Sequence, residues 1–137
     1  MMVAQRLRQA INDHDLDAFV DCFRPDYRSE QPAHPARAFQ GRERVRENWG
    51  VFFRQVPDLR AELLTTASAD GTEWSEWHWH GTREDGTRFE MRGVIIMGLQ
   101  DDRISWARLY MEEVEAGGED IEASVQRLAE PKHQNRE

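Results

Sequence analysis

Glu76-Trp77-His78-Trp79-His80-Gly81-Thr82 decides how the rest of the chain is read. On an extended strand alternate side chains share a face, so this run sets both indoles on one side and Glu76, His78 and His80 on the other. One face suits aromatic packing or an apolar guest, the other polar contacts. Working outward, alternation extends through Leu59 to Ala69, Glu73 to Arg83, Arg88 to Gln100 and Arg103 to Val114. Asp70-Gly71, Asp85-Gly86 and Asp101-Asp102 separate these segments with turn chemistry, so four strands in an antiparallel meander are expected. Val94-Ile95-Ile96-Met97 is apolar on both faces, which predicts cover on both sides of the sheet. Helices can supply one cover. A second subunit, in a homodimer through the outer face, is expected to supply the other.

Before Pro57 the spacing is helical. Val3, Leu7, Ala10 and Ile11 mark one short helix, Asn12-Asp13-His14-Asp15 interrupts it, and Leu16, Phe19, Val20 and Phe23 mark a second. Tyr27 to Gln31 reads as a short strand, and Pro32, His34 and Pro35 as a loop. After Gly41, the residues Val45, Trp49, Phe52, Phe53 and Val56 form an apolar helical stripe that Pro57 ends. Residues 1–116 are expected to form one domain. Residues 117–137 form an acidic tail, freed by Gly117-Gly118, in which Ile121, Val125 and Leu128 predict a short helix and disorder is expected from Pro131 onward.

Composition removes several function classes. A net charge of −8 on 137 residues disfavours nucleic acid and anionic lipid as partners, although eight acids and three bases from Glu112 onward put most of that charge in the tail. Lys132 is the only lysine, which leaves no Schiff-base nucleophile and no phosphate-binding Gly-Lys-Ser/Thr loop in the domain. Cys22 is the only cysteine, so an intramolecular disulfide is excluded, and its helical position reads as a small core residue. The Met1-Met2-Val3-Ala4 start does not read as a signal peptide, and no apolar run is long enough to cross a bilayer. A soluble, cytoplasmic protein is expected.

Several segments, in order, resemble the nuclear transport factor 2-like superfamily and more narrowly its SnoaL-like branch. They are Asn12-Asp13-His14-Asp15-Leu16-Asp17-Ala18-Phe19, Phe39-Gln40-Gly41-Arg42-Glu43, Glu76-Trp77 with Gly81-Thr82, Arg92-Gly93-Val94, and Asp101-Asp102-Arg103-Ile104 leading to Tyr110-Met111-Glu112. The resemblance implies an α+β fold: a cone-shaped barrel with the N-terminal helices packed in a strongly curved antiparallel sheet around an apolar pocket. Ketosteroid isomerases, limonene-epoxide hydrolases and polyketide cyclases of this superfamily use such a pocket.

Carried over position by position, their acid–base groups are replaced. The carboxylate base that precedes a proline in the isomerases falls on Gln31, the oxyanion aspartate on Ile95 and the helix tyrosine on Leu7. The water-activating set of the epoxide hydrolases falls on Trp77, Trp79 and Leu109. The cyclase aspartate also falls on Leu109 and its histidine partner on Ile95. What the resemblance leaves is an apolar wall of Trp77, Trp79, Ile95 and Leu109, continued by Met97 and Met111 and faced by Trp49 and Phe53. Each aromatic can bury about 150–250 Å².

Tyr27, Ser29 and Gln31 share one strand parity and, with His34, are the polar groups expected at the pocket mouth. His34 and Tyr27 are the candidates for proton transfer, while Gln31 would orient a guest without moving a proton. Arg108, Tyr110 and Glu112 have the opposite parity to Leu109 and are assigned to the subunit contact. His78-x-His80-x-x-x-Glu84 superficially resembles a cupin metal motif, but its glycine spacing is wrong and the helical first third is foreign to that fold. These histidines are read as an outer-face pair at the subunit contact, whose association would weaken as pH falls toward about 6.5. No metal and no cofactor are expected.

The resulting expectation is a SnoaL-like protein that binds a small hydrophobic or aromatic molecule in a tryptophan-lined pocket, with cyclase or isomerase activity by substrate positioning. The alternatives are a non-catalytic binding or scaffold homodimer with a filled interior, and a histidine-dependent metal enzyme.

Overall fold

The change of period at Pro57 divides the architecture as well as the sequence. The computed structural model describes residues 1–132. Before the proline come α1 (Val3–Asn12), α2 (Leu16–Asp21), β1 (Phe23–Glu30), a single 3-10 turn (Pro35–Arg37), β2 (Phe39–Gln40) and α3 (Arg42–Gln55). After it come β3 (Arg60–Ala69), β4 (Thr72–Thr82), β5 (Arg88–Gln100), β6 (Arg103–Glu113) and α4 (Ile121–Ala129).

α1 buries Val3, Ala4, Leu7, Ala10 and Ile11, one stripe at three- and four-residue spacing. Its first turn is held from the sheet: the Glu73 carboxylate of β4 accepts the Val3 and Ala4 amides, both at 3.1 Å. His14 takes a left-handed conformation between α1 and α2, and the Asp15 side chain caps α2 by accepting the Ala18 amide at 3.0 Å. The β3–β4 and β5–β6 hairpins turn at Asp70-Gly71 and Asp101-Asp102, all four residues at positive φ, as a two-residue turn of matching twist requires.

The sheet has six strands in the order β2-β1-β6-β5-β4-β3. From β3 to β6 it is the antiparallel meander that the alternation predicts, with Trp77 opposite Leu63 and Gly93, and Ile95 opposite Ser75 and Leu109. The expected cone-shaped barrel with a strongly curved, wholly antiparallel sheet is not found. The sheet is mixed and open, is not strongly curled, and has β2 and β3 as its two edges. β1 runs parallel to β6, with Phe23 beside Ile104 and Ser29 beside Ala107.

The start of the β3 edge is covered by the helices. The Asn12 side chain donates to the Ala61 carbonyl (3.1 Å) and accepts the Ala61 amide (2.7 Å), and His14 Nε2 lies 3.0 Å from the Leu59 carbonyl. The helical layer thus takes up backbone groups at the β3 edge, and β2, at two residues, is too short to replace it.

The core lies between the helices and one sheet face, with Trp77 only 1 % and Trp79 5 % exposed. The predicted terminal helix forms as α4, capped by Asp120, but Ile121, Val125 and Leu128 remain exposed. The expectation of disorder from Pro131 onward falls mainly on residues 133–137, which lie outside the described residues.

Candidate functional site

Strand parity assembles the site. From β4, Trp77 and Trp79 point to the helical side; Ile95 and Met97 of β5 and Leu109 and Met111 of β6 continue that surface. Opposite stands α3. Val45, Asn48, Trp49 and Phe52 recur on one helical face, and Trp49 packs edge-on to Trp79 (centroids 5.2 Å, 81°) and against Phe19 at 4.4 Å. Between these walls lies a cavity of about 240 Å³. Leu7 and Ile11 of α1 also line it.

β1 supplies the polar side, because Tyr27, Ser29 and Gln31 follow one another at two-residue spacing. Tyr27 and Ser29 are buried, at 3 % and 4 % exposure. Burial pushes the Tyr27 phenol up to about 12, and its hydrogen bond with the Ser29 side chain offsets part of that rise. Tyr27 is therefore a neutral hydrogen-bond donor at physiological pH, and no base. Toward solvent the Arg37 guanidinium donates to Gln31 Oε1 at 2.9 Å, and Asn48 reaches the same rim. A more open groove of about 470 Å³ continues outward and shares Arg37, Phe52, Met91 and Met111 with the inner cavity. It ends among Arg83, Glu112 and Glu113.

Of the residues singled out in the sequence, the cavity gathers Tyr27, Gln31, Trp49, Trp77, Trp79, Ile95, Leu109 and Met111. Phe53 is not in the lining. It stacks on His14 (centroids 5.1 Å, 9°), and its neighbour Phe52 takes the inward position. His34 is also outside the lining, with Nε2 2.9 Å from Glu112 Oε2. Arg37 and Asn48 were missed. Asn48 carries a legible signal, since it lies three residues after Val45 and four before Phe52 on the apolar stripe of α3. Arg37 reaches the rim only because the Pro35 turn redirects the chain, and no spacing rule reveals that.

Polar groups converge a second time on the outer face of the sheet. His78 lies 3.3 Å from Glu62 and 2.7 Å from Glu90, and His80 lies 3.3 Å from Glu62. Side-chain hydrogen bonds from His78 and His80 hold the Glu62 carboxyl below the usual carboxylate range, and bonds from Arg88 and His78 do the same for Glu90.

A family model described as the SnoaL-like domain matches residues 4–107. The chain belongs to the SnoaL-like family. A comparison with curated proteins finds no match. Solved structures similar to this SnoaL-like domain include a Mycobacterium tuberculosis protein, RV0760c, in complex with estradiol-17beta-hemisuccinate (18% identity, 79% of this chain and 89% of that one, TM-score 0.68). A SnoaL-like protein of unknown function from Burkholderia thailandensis is 23% identical over 80% of this chain and 91% of its own, with a TM-score of 0.63. A protein of ketosteroid isomerase-like fold from Catenulispora acidiphila, in complex with trimethylamine, is 15% identical over 79% and 83%, with a TM-score of 0.68. At these identities the likeness establishes the fold. Among the described residues, no helix of this SnoaL-like protein is long and apolar enough to cross a membrane.

Proposed function

We propose that this SnoaL-like protein binds a small, flat, mainly apolar or aromatic molecule that carries one hydrogen-bond acceptor. The observation that carries the reading is an aromatic-walled volume of about 240 Å³ whose buried polar residues, Tyr27 and Ser29, carry neutral hydroxyls. Ligand pockets commonly run from about 300 to 1,000 Å³, so the guest belongs to the small end, and a larger one would extend into the outer groove. That a protein of the same fold was crystallised with estradiol-17beta-hemisuccinate lends support.

No lining residue of the inner cavity is Asp, Glu, His, Cys or Lys. Any cyclisation or isomerisation there rests on holding a reactive substrate in a folded conformation, with Tyr27 as donor; His34, paired with Glu112 of the outer groove, is the second proton-transfer candidate for a guest that extends into that groove. The same lack of carboxylate, imidazole, thiol and amine groups favours a second reading, binding without chemistry. Titrating intrinsic tryptophan fluorescence with aromatic and terpenoid compounds tests the pocket. Saturable quenching by acceptor-bearing members is expected, and silence across the panel overturns the reading. On any substrate found, unchanged turnover by His34→Ala removes that residue from the scheme.

A homodimer through the outer sheet face belongs to the same proposal. Trp74 and Tyr110 are about two-fifths exposed there, beside Val94 and Ile96, and the Arg108 guanidinium lies 4.6 Å over the Trp106 ring. A monomer in analytical ultracentrifugation at micromolar concentration overturns it.

A further inference from the structure

We propose that Glu62, His78 and His80 form a binding site for a divalent transition-metal ion of the zinc type on the outer face of the sheet. The site is independent of the cavity, and at the far end of β4 from Trp74. The linear motif points to Glu84 as the third ligand; strand pairing supplies Glu62 instead. In the β3–β4 ladder Glu62 stands opposite His78, and His80 follows two residues later on the same face. One donor atom from each of the three side chains lies within 4.8 Å of the others, and the two histidine-to-Glu62 separations are both 3.3 Å. Metal bonds of about 2.0–2.2 Å in a tetrahedral site set donor atoms about 3.3–3.6 Å apart. His78 Nδ1 meets Glu62 Oε1 and His80 Nε2 meets Oε2, so with either oxygen as ligand one edge of that figure is in place, and rotation of the exposed carboxylate and the two partly exposed rings closes the others.

The outer-shell contacts match as well. A metal-ligating histidine characteristically gives its other ring nitrogen to a carboxylate, which fixes the tautomer and raises ligand basicity. His78 has Nδ1 toward Glu62 and Nε2 2.7 Å from Glu90 Oε2, while Glu90 Oε1 receives Arg88 Nε at 3.3 Å. With Glu90 accepting the Nε2 proton, the incoming ion displaces the Nδ1 proton that His78 otherwise gives to Glu62, and Nδ1 then faces the space shared with Glu62 and His80 as a ligand. Two imidazoles and one carboxylate suit zinc and its neighbours and not magnesium or calcium, which take oxygen donors. Glu62 is more than half exposed, so a water molecule completes the fourth position.

The competing account is an ion-pair cluster with no affinity for metal, and one experiment separates the two. Chelator-treated full-length protein is titrated with zinc chloride by calorimetry and with cobalt(II) by visible absorption. Expected are saturation at one ion per chain and the intense cobalt bands of a four-coordinate site. Glu62→Gln and His80→Asn should each weaken zinc binding by more than the roughly 10–100-fold that loss of an outer-shell partner costs, Glu90→Gln by about 10–100-fold, and Glu84→Gln not at all. Circular dichroism in chelator establishes that each variant is folded, and His78→Ala replaces any that is not. Absence of saturable one-to-one binding, or binding unchanged in folded Glu62→Gln, overturns the proposal.

Discussion

Trp77 and Trp79 leave the same face of β4 with ring centroids 6.3 Å apart, yet only Trp77 has a partner for its indole nitrogen. Trp77 Nε1 donates to Ser75 Oγ at 2.8 Å, and that hydroxyl donates onward to the Ile95 carbonyl at 3.1 Å. Trp79 Nε1 is buried without an acceptor. Trp79 Nε1 is enclosed on all sides, so Trp79 offers the chamber its ring and not its N–H, and a buried donor left unmade costs about 1–3 kcal/mol.

Tyr27→Phe should erase discrimination between an acceptor-bearing ligand and its parent hydrocarbon, because Tyr27 lines the cavity with a neutral hydroxyl. That discrimination, at about 0.5–1.5 kcal/mol for one hydrogen bond, corresponds to roughly 2–10-fold in affinity. Parallel calorimetric titrations of wild type and variant measure it. A folded variant that still prefers the acceptor-bearing compound by the same factor contradicts the role given to the Tyr27 hydroxyl.

Glu73 joins the first turn of α1 to β4 through two charge-assisted hydrogen bonds in a buried setting. Glu73→Ala strands two amides at a helix N-terminus and removes a favourable charge from it. A loss of about 1–3 kcal/mol is expected from the urea midpoint at unchanged slope. A loss below about 0.5 kcal/mol would mean that water replaces the carboxylate without penalty.

Tyr27 makes stability depend on pH at the alkaline end. Its folded pKa is raised to about 12, above an ordinary phenol near 10, so the folded state holds the proton more tightly than the unfolded chain. The contribution is complete below pH ~10 and is lost as pH rises toward ~12; two pKa units correspond to about 3 kcal/mol. Tyr110 is the other tyrosine, so Tyr110→Phe isolates Tyr27 for a phenolate absorbance titration. A midpoint near 10 in the folded Tyr110→Phe protein would contradict this burial.

Gly93 sits opposite Trp77, where β5 crosses β6 too closely for a side chain. A Cβ there would run into the Tyr110 carbonyl oxygen and come within 2.8 Å of Met111 Cα, backbone that cannot rotate away. Gly93→Ala should lower stability by at least the ~1–3 kcal/mol typical of overpacking, whereas Gly117→Ala, with open space around it, should stay within ~0.5 kcal/mol. Thermal melts of the two variants compare them directly.

The inward wall was legible because strand parity is a local property: once Trp77 and Trp79 share a face, Ile95 and Leu109 follow from pairing. Helical phase was less secure. Phe52 and Phe53 both fit the stripe of α3 and both pack on the core, and the stacking of Phe53 on His14 leaves Phe52 to line the cavity. The open edge was not legible, since it depends on Asn12 meeting Ala61 across a long stretch of sequence. The Glu62–His78–His80 grouping was hidden for the same reason: a linear motif sees neighbours along one strand and misses the residue across the ladder.

The parallel alignment of β1 beside β6 also makes the chamber a product of long-range pairing. A nascent chain that stops before Arg103 already holds the two tryptophans, Tyr27 and the helix that covers them, yet Phe23 and Ser29 still lack the strand they must lie against. Closing so long a loop comes late and slows folding. The wall that carries Tyr27 and Ser29 is therefore joined to the meander only through a contact between opposite ends of the domain, and no local segment can build the chamber by itself.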